Sequence, residues 1–346
     1  MEESMSRAAG FRGVPTPQKI PRLCGSCHSD IEKMRAFRPR IQTDQEKQYY
    51  TSVHGKKLKS GDTKVATCVS CHGVHQIFPV KDTRSKIYPT RVPETCNSCH
   101  GDSEYMKPYK IPTDQYEKYT NSVHGRDLLE KGDIGAPACN DCHGNHGATP
   151  PGVASISHVC GNCHVNNMDY FEKSPMAAAF SEMELHACES CHGYHEIQPT
   201  SIEMIGLGNK GVCKKCHEAG DNGAAIAQTL YTLLKNLEVA HDSVEIVLQE
   251  VNRKGMDDEE ILVLKQKTWQ SFIHSRTLVH TFDTTQVGKT AREGLALAKT
   301  ALTLEYAQLK EYATRTKGLG ISIVIIFILA AALYLKSKEM EKKEHN

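Results

Sequence analysis

The sequence predicts a mainly α-helical protein with much irregular coil, followed by a long helical bundle and one membrane-spanning helix near the C-terminal end. Three observations predict this organisation. The motif Cys-x-x-Cys-His occurs seven times between Cys24 and His217, and cysteine and proline are absent from residue 224 onward. Apolar residues then recur at alternating spacings of three and four. An uninterrupted apolar run lies near the end of the chain.

The seven motifs account for all 14 cysteines of the 346-residue chain. In such a motif two thiols form thioethers to a porphyrin, and the adjacent histidine binds the iron. A single copy also fits half of a zinc site or a redox dithiol, but seven copies favour covalent haem. We therefore expect seven covalently bound haem c groups. The expected attachment residues are Cys24, Cys27, Cys68, Cys71, Cys96, Cys99, Cys139, Cys142, Cys160, Cys163, Cys188, Cys191, Cys213 and Cys216. The expected proximal ligands are His28, His72, His100, His143, His164, His192 and His217.

The overall composition agrees with an interior made largely of porphyrin. Apolar residues make up 39% of the chain and aromatic residues only 6%, which is little for a core of this size. We expect the haems to supply the missing apolar surface, so the chain without haem should not fold. The formal net charge is +1, and no basic run is interleaved with aromatic residues, which disfavours nucleic-acid binding.

The expected organisation is a heptahaem domain over residues 1–223, a long-helix bundle over 224–316, a transmembrane helix over 317–336 and a tail over 337–346. The first domain repeats itself. Repeat one covers 24–75, repeat two covers 96–146, repeat three is a shortened copy over 160–195, and the seventh motif at 213–217 stands alone. Repeats one and two share Ser-Val-His-Gly, and all three repeats end in Cys-His-Gly-x-His.

These shared segments supply candidates for the sixth iron ligand. The recurring histidines are His54, His75, His124, His146 and His195, and Met176 of repeat three aligns with His54 and His124. His158 and His186 each precede a motif cysteine by two residues and are further candidates. The alternative roles are contact with a propionate for the histidines of Cys-His-Gly-x-His, and core packing for Met176. His280 is expected either to ligate the seventh haem or to be a core histidine.

A bundle of three helices is predicted after residue 223. The expected apolar stripe of its first helix is Ile226, Leu230, Leu233, Leu237, Ala240, Val244, Val247 and Val251. Gly255 stops this helix, and Asp257 and Asp258 can cap a second helix over about 259–284. A third helix is expected to start near residue 286 and to run into the membrane span. Three such helices pack up-down-up or pair with a partner's helices.

The apolar run over residues 319–335 is just long enough to cross a bilayer, although a buried core helix has a similar length. Lys317 and Lys336 flank it, and Tyr334 suits the interface. Four lysines in the last eleven residues place the tail in the cytoplasm, by the positive-inside rule. The haem domain is then extracytoplasmic, either periplasmic or on the cell surface. Residues 1–23 contain no apolar core of a signal peptide, so we expect the export signal to have been removed or to lie outside this sequence.

These motifs resemble the multihaem cytochrome c superfamily with doubled Cys-x-x-Cys-His motifs, which includes small electron carriers and the hydroxylamine oxidoreductase and octahaem lineage. The long C-terminal helices with a membrane tail are similar to the hydroxylamine oxidoreductase architecture. That lineage commonly has eight haems and a marked catalytic haem, whereas this chain has seven motifs and no Cys-x-x-Cys-Lys. The resemblance therefore implies electron transfer more directly than catalysis.

The leading hypothesis is a membrane-anchored electron carrier with no catalytic residues of its own. It would link a quinol-oxidising membrane partner, or the quinol pool, to periplasmic or extracellular acceptors such as other cytochromes. Eight candidate distal ligands suffice for seven irons, which favours this role. One alternative is an enzyme that resembles hydroxylamine oxidoreductase or reduces nitrite or a sulfur compound at one five-coordinate haem. A third is a structural role in which the helices build larger assemblies.

Overall fold

The computed structural model describes residue 8, residues 13–149 and residues 158–344. These ranges are mainly α-helical and contain no β-strand, which confirms the predicted helical class. The chain forms two compact parts, one of residues 1–169 and 177–200 and one of residues 170–176 and 201–346. The boundary expected at residue 223 thus lies inside the second part, which also includes a short segment of repeat three.

Short helices joined by coil build the first compact part, and the helices bounded within the described ranges are numbered in chain order. They are α1 Ile20–His28, α2 Ile31–Phe37, α3 Gln45–Tyr49, α4 Val53–Lys59, α5 Cys68–His72, α6 Val92–His100, α7 Ser103–Met106, α8 Gln115–Thr120, α9 Val123–Leu129, α10 Cys139–His143, α11 Val165–Glu172, α12 Pro175–Glu182 and α13 Ala187–His192. Single 3₁₀ turns flank them at Pro17–Lys19, Pro89–Arg91 and Lys107–Tyr109. Repeats one and two use these helices in the same order, α1–α5 and α6–α10.

The two full repeats are stabilised by matching hydrogen bonds. The side chain of Asp30 caps α2 by accepting the amide of Lys33, and Asp102 caps α7 in the same way. The buried Tyr49 donates its hydroxyl to the carbonyl of Ala66 at 2.8 Å. Tyr119 repeats this contact in repeat two, with the carbonyl of Pro137 at 2.9 Å. The sequence repeat is therefore a repeat of tertiary contacts.

A glycine turn follows the second motif of each repeat. Gly73, Gly144 and Gly193 have φ angles of 81°, 78° and 75°, in the left-handed region that glycine adopts without a steric cost. Each glycine ends its motif helix and turns the chain sharply. The final histidine of Cys-His-Gly-x-His is thereby carried away from the motif histidine three residues earlier.

Three long helices dominate the second compact part. They are α14 Asn222–Arg253, α15 Glu259–Leu278 and α16 Thr284–Glu344, with 3₁₀ turns at Ile202–Met204, Cys213–Lys215 and Val279–Thr281. The second helix ends at Leu278, earlier than the 284 expected, because Val279–Thr281 tightens into a 3₁₀ turn and Phe282 takes a φ of 54°. Asp283 then accepts the amides of Thr285 and Gln286 and starts α16.

The buried face of α14 differs in part from the predicted apolar stripe. Leu230, Leu237, Val244 and Val251 are buried as predicted, but the alternate buried positions are Ala227, Leu234 and Leu248. Ile226 is instead 38% exposed. The helix packs against both α15 and α16, so its apolar face is wider than contact with a single helix requires.

The last helix continues well past the bundle. Helix α16 has 61 residues, and its bundle portion packs Val287, Ala291, Ala298 and Ala301 into the core. Beyond Leu309 its apolar side chains are exposed, from Leu319 to Leu335. Its most apolar 18-residue window has a mean hydropathy of 2.6 and is wholly unburied. This part of α16 is long and apolar enough to span a membrane.

Candidate haem sites

The Cys-x-x-Cys-His motifs lie at the ends of short helices. Helices α1, α5, α6, α10 and α13 each end on the histidine of a motif. Residues three apart lie on the same face of a helix, so the two cysteines of a motif point to one side and the histidine follows on the next turn. This local geometry suits two thioethers and one axial ligand on a single porphyrin.

Four of the seven motif histidines face a second histidine from elsewhere in the chain. The ring centres of His54 and His100 are 6.1 Å apart, and those of His72 and His146 are also 6.1 Å apart. The pair His124 and His164 is separated by 6.2 Å, and the pair His143 and His195 by 5.9 Å. Every pair joins one motif histidine to one candidate distal ligand.

The constant separation of these rings fits an ion between them. Metal–imidazole bonds are about 2 Å long and the nitrogen lies about 1.2 Å from the ring centre, so two imidazoles on opposite sides of one ion have centres about 6 Å apart. The separations vary by only 0.3 Å across the four pairs, while the interplanar angles range from 7° to 53°. A common axial bond fixes distance but leaves rotation about the axis free.

Two imidazoles alone are a poor metal site. Within the described ranges no three His, Cys, Asp or Glu side chains gather into one. A porphyrin would supply the four remaining nitrogen ligands, and the thiols beside each motif histidine are in place to attach it. The residues present therefore fit haem.

Burial favours the neutral form of the paired histidines. It lowers the pKa of His54, His124, His146 and His195 below the usual value for histidine, and a neighbouring histidine cation adds to the effect for His54, His124 and His195. The same two causes lower the pKa of His72 and His100. Only a neutral imidazole has a free nitrogen lone pair for a metal, so these rings are in the form that a ligand needs.

Cysteines of consecutive motifs lie close together. Within each repeat the first cysteines of the two motifs are close enough for one thiol to raise the pKa of the other, as in the pairs Cys24–Cys68, Cys96–Cys139 and Cys160–Cys188. Between repeats, Cys71 is near Cys96 and Cys99, and Cys142 is near Cys160 and Cys163. The first six attachment sites therefore form one unbroken series in chain order.

The histidine pairs connect neighbouring repeats in a regular order, which we call the pairing rule. The histidine of Ser-Val-His-Gly pairs with the first motif of the following repeat, as in His54–His100 and His124–His164. The final histidine of Cys-His-Gly-x-His pairs with the second motif of the preceding repeat, as in His72–His146 and His143–His195. None of these four pairs lies within a single repeat.

Backbone hydrogen bonds join the same elements. The amide of Val53, at the start of α4, donates to the carbonyl of Ala148, two residues beyond His146, at 3.1 Å. The amide of Val123, at the start of α9, donates to the carbonyl of Ile197 at 2.8 Å. Ile197 likewise lies two residues beyond His195. The helix that carries the histidine of Ser-Val-His-Gly is thus hydrogen-bonded to the loop that carries the final histidine of Cys-His-Gly-x-His in the next repeat.

His217 of the seventh motif is oriented by the start of α14. Its Nδ1 lies 3.3 Å from a carboxylate oxygen of Asp221, and Asp221 also caps α14 through the amide of Ala224. A Cβ atom on Gly223 would lie 2.1 Å from the His217 ring, so only glycine leaves room for the imidazole. A carboxylate on Nδ1 fixes the ring and leaves Nε2 as the nitrogen that could bind a metal.

The remaining candidates are not in these four pairs. His28 and His75 are exposed, and Met176 is half-buried at the start of α12. The Nδ1 of His186 lies 2.9 Å from the carboxylate of Glu189. His158 and His192 make other contacts. Among the described residues, no second imidazole is paired with His28 or His217 at the 6 Å spacing.

Several supporting residues were not predicted from the sequence. Ser52 and Ser122 are buried, and each caps its helix by accepting a glycine amide at 2.9 Å. The recurrence of Ser-Val-His-Gly is the signal that could have identified them as caps. Asp221 and Gly223 were also missed, although their distances from His217 along the chain, four and six residues, allow a cap that touches the imidazole.

Comparison with family models, with curated proteins and with solved structures gives no match to this chain.

Proposed function

We propose that this protein is a heptahaem c-type cytochrome that transfers electrons, of the kind suggested by its resemblance to the multihaem cytochrome c superfamily. The single observation that carries the proposal is the set of four histidine pairs at 5.9–6.2 Å, each combining a motif histidine with a repeat histidine. If these histidines were only part of a packed core, there would be no reason for all four pairs to combine one motif histidine with one repeat histidine.

Bound haem supplies a one-electron couple whose potential depends on the axial ligands and the surroundings. The protein's own residues would hold the haem in place. In the four paired sites two imidazoles would hold one iron, which suits electron transfer and would leave no room for a substrate there. The close series of cysteines from Cys24 to Cys188 keeps neighbouring attachment sites adjacent, so electrons would have a continuous route.

Haem content and spin state test this proposal. The chain is produced with a c-type cytochrome maturation system, and its intact mass is measured. We expect seven covalent haem increments and a low-spin ferric signal from at least four haems. A mass equal to the bare polypeptide, or to one with only a few haems, would refute the proposal. A Cys139→Ser and Cys142→Ser double variant should lose one increment and is the matched control for counting.

The exposed apolar part of α16 supports a membrane anchor. We propose that residues 317–336 cross the membrane, with Lys336, Lys338, Lys342 and Lys343 on the cytoplasmic side and the haem-binding part outside the cytoplasm. Protease added to intact cells or spheroplasts should digest the haem part and leave the tail protected. Protection of the haem part with digestion of the tail would reverse this topology.

A membrane protein that oxidises quinol is the proposed electron donor, and periplasmic or surface cytochromes are the proposed acceptors. The anchor supports a donor in the same membrane, because two-dimensional confinement raises the local concentration of such a partner. Purification in mild detergent should retain a membrane partner that reduces the haems when a quinol is added. Quinol that reduces the haems without any co-purified protein would argue against this partner.

The exposed position of His28 is the observation that favours the alternative of an enzyme with one five-coordinate haem. No second imidazole of the described residues stands opposite it. Cyanide added to the oxidised holoprotein distinguishes the two functions. Conversion of one high-spin haem to low spin would support the enzyme, whereas a spectrum that is wholly low-spin before cyanide and unchanged by it would support the carrier alone.

A further inference from the structure

The pairing rule of the repeats extends to the seventh motif. In repeats one and two, the second residue of the serine-capped helix pairs with the first motif of the following repeat, as in His54–His100 and His124–His164. The motif that follows repeat three is the unpaired one at Cys213 and Cys216, with His217 as its histidine. The rule therefore assigns to His217 whichever side chain occupies the equivalent position in repeat three.

Hydrogen bonds identify that position without reference to the sequence alignment. Ser52 and Ser122 are buried, and each donates its hydroxyl to the carbonyl three residues earlier, at 2.5 and 2.6 Å. Ser174 is 7% exposed and makes the same bond to the carbonyl of Phe171 at 2.7 Å. A helix begins directly after each serine. The residue two positions beyond Ser174 is Met176.

The residue directly after this serine also agrees with the position of repeat three as the last repeat. Val53 and Val123 donate their amides to the loop that follows Cys-His-Gly-x-His in the next repeat. Repeat three is followed by the seventh motif, Cys-Lys-Lys-Cys-His-Glu, which has no such loop. Pro175 stands in the place of the two valines, and proline has no amide hydrogen to leave unpaired.

We propose that the thioether sulfur of Met176 is the sixth iron ligand of the haem attached at Cys213 and Cys216, opposite His217. This inference rests on the proposed function, because it requires the seventh haem to be present. Met176 and His217 belong to the same compact part. This part includes residues 170–176, whereas the rest of repeat three belongs to the other part. Tyr170 of this segment packs against the cluster of Leu230, Leu278 and Val287.

The assignment has a consequence for the direction of electron flow. Methionine in place of a second histidine raises the reduction potential of a c-type haem. The four paired sites have two histidines each. The seventh haem would therefore be the most oxidising site of the array, and electrons that enter at any of the four paired haems would collect there.

Spectroscopy and potentiometry of the holoprotein test the assignment. Ferric haem with histidine–methionine ligation has a weak far-red absorption band that haem with two histidines lacks. We expect this band in the natural protein and its loss in both Met176→Leu and Met176→His. In Met176→His one haem of seven should move from the high-potential end of the titration into the main group, and in Met176→Leu one haem should become high-spin.

Matched controls separate the possible failures. Met183 is exposed in the same region, and Met183→Leu should leave both the band and the titration unchanged. Seven haems by mass with no far-red band would overturn the methionine assignment but not the proposed function, whereas fewer than seven would count against the function itself. Loss of the band in Met183→Leu, or a seventh haem altered by His280→Ala and not by either Met176 variant, would also overturn the assignment.

Discussion

At the scale of single residues, similar sequences lie in different surroundings. The three histidines that end Cys-His-Gly-x-His follow glycines with the same left-handed φ. His146 and His195 are half-buried against motif histidines, whereas His75 is exposed. The difference follows from the pairing rule, because His146 and His195 reach back to the preceding repeat and no Cys-x-x-Cys-His motif precedes Cys24 in this sequence.

This difference predicts unequal effects of three identical substitutions. His146→Ala and His195→Ala should each convert one haem from low spin to high spin, because each removes one axial nitrogen. His75→Ala should leave the spin state of all haems unchanged. Electron paramagnetic resonance of the three oxidised holoproteins measures this directly. A new high-spin signal in His75→Ala, or none in the other two variants, would contradict the pairing.

Glu305 is a second residue with a measurable signature. Its side chain is fully buried in α16, where its oxygens have no hydrogen-bond partner among the described residues. Burial, with a smaller contribution from Glu245, raises the pKa of Glu305 to about 7. Glu245 itself forms an ion pair with Lys265.

The sign of the resulting pH dependence follows from linkage. The folded protein holds the proton of Glu305 more tightly than the unfolded chain, so this group stabilises the fold most below pH 4.5. That contribution is lost as the pH rises to about 7 and costs on the order of 3 kcal/mol above it. Glu305→Gln should therefore raise the unfolding temperature of the bundle at pH 8 and flatten its pH dependence.

Fluorescence of Trp269, the single tryptophan of the chain, follows unfolding of the bundle in both proteins. Glu311→Gln is the matched control, since Glu311 lies on the same helix but is exposed and paired with Arg315. An equal pH dependence in the natural protein and in Glu305→Gln would contradict the assignment.

At the scale of elements, close packing of the serine-capped helices sets the positions of His54 and His124, the proposed distal ligands. A Cβ atom on Gly125 would lie 1.9 Å from the carbonyl oxygen of Tyr119, and one on Gly55 would lie 2.1 Å from that of Tyr49. These glycines follow His124 and His54 directly. Both contacts are to backbone, which cannot swing aside as a side chain can, so a larger residue must displace the helix.

Gly125→Ala should consequently move His124 away from the His164 site. The expected result is one haem with a weakened or lost sixth ligand, seen as a high-spin fraction or as binding of added cyanide, with all seven haems still attached. Gly135→Ala is the control, because the nearest atom there is the flexible carboxylate of Asp133 at 3.1 Å. A fully low-spin Gly125→Ala protein that binds no cyanide would show that the helix tolerates the methyl group.

The elements also show what the sequence could and could not predict. The motifs, the candidate ligands, the three long helices and the apolar terminal helix were all recognisable, because each depends on local spacing. The pairing was not, since His72 and His146 meet only through the stacking of two repeats. The stripe on α14 was partly wrong, because a strict heptad spacing describes contact with one neighbouring helix, whereas Leu234 and Leu248 are buried on a face that contacts both α15 and α16.

At the scale of the whole molecule, α16 belongs both to the bundle core and to the proposed anchor. The side chains of residues 317–343 are exposed, so deletion of residues 317–346 should release the haem-binding part into the soluble fraction with seven haems. It should still be reduced by a soluble dye, but no longer by quinol through the membrane partner. Equal reduction by membrane quinol with and without these residues would contradict the role of the anchor.

The continuity of α16 also sets the distance between the start of α14 and the proposed membrane span. Val287 packs with Leu230 near the start of α14. Gly318 lies 31 residues further along the same uninterrupted helix, which corresponds to about 46 Å. His217 lies just before that start of α14. With residues 319–335 in a bilayer, the part of α16 that precedes them would hold the seventh site far from the lipid headgroups. A quinol confined to the lipid would have no direct contact with the seventh site at that height, so its electrons could reach that site only through another haem or a second protein.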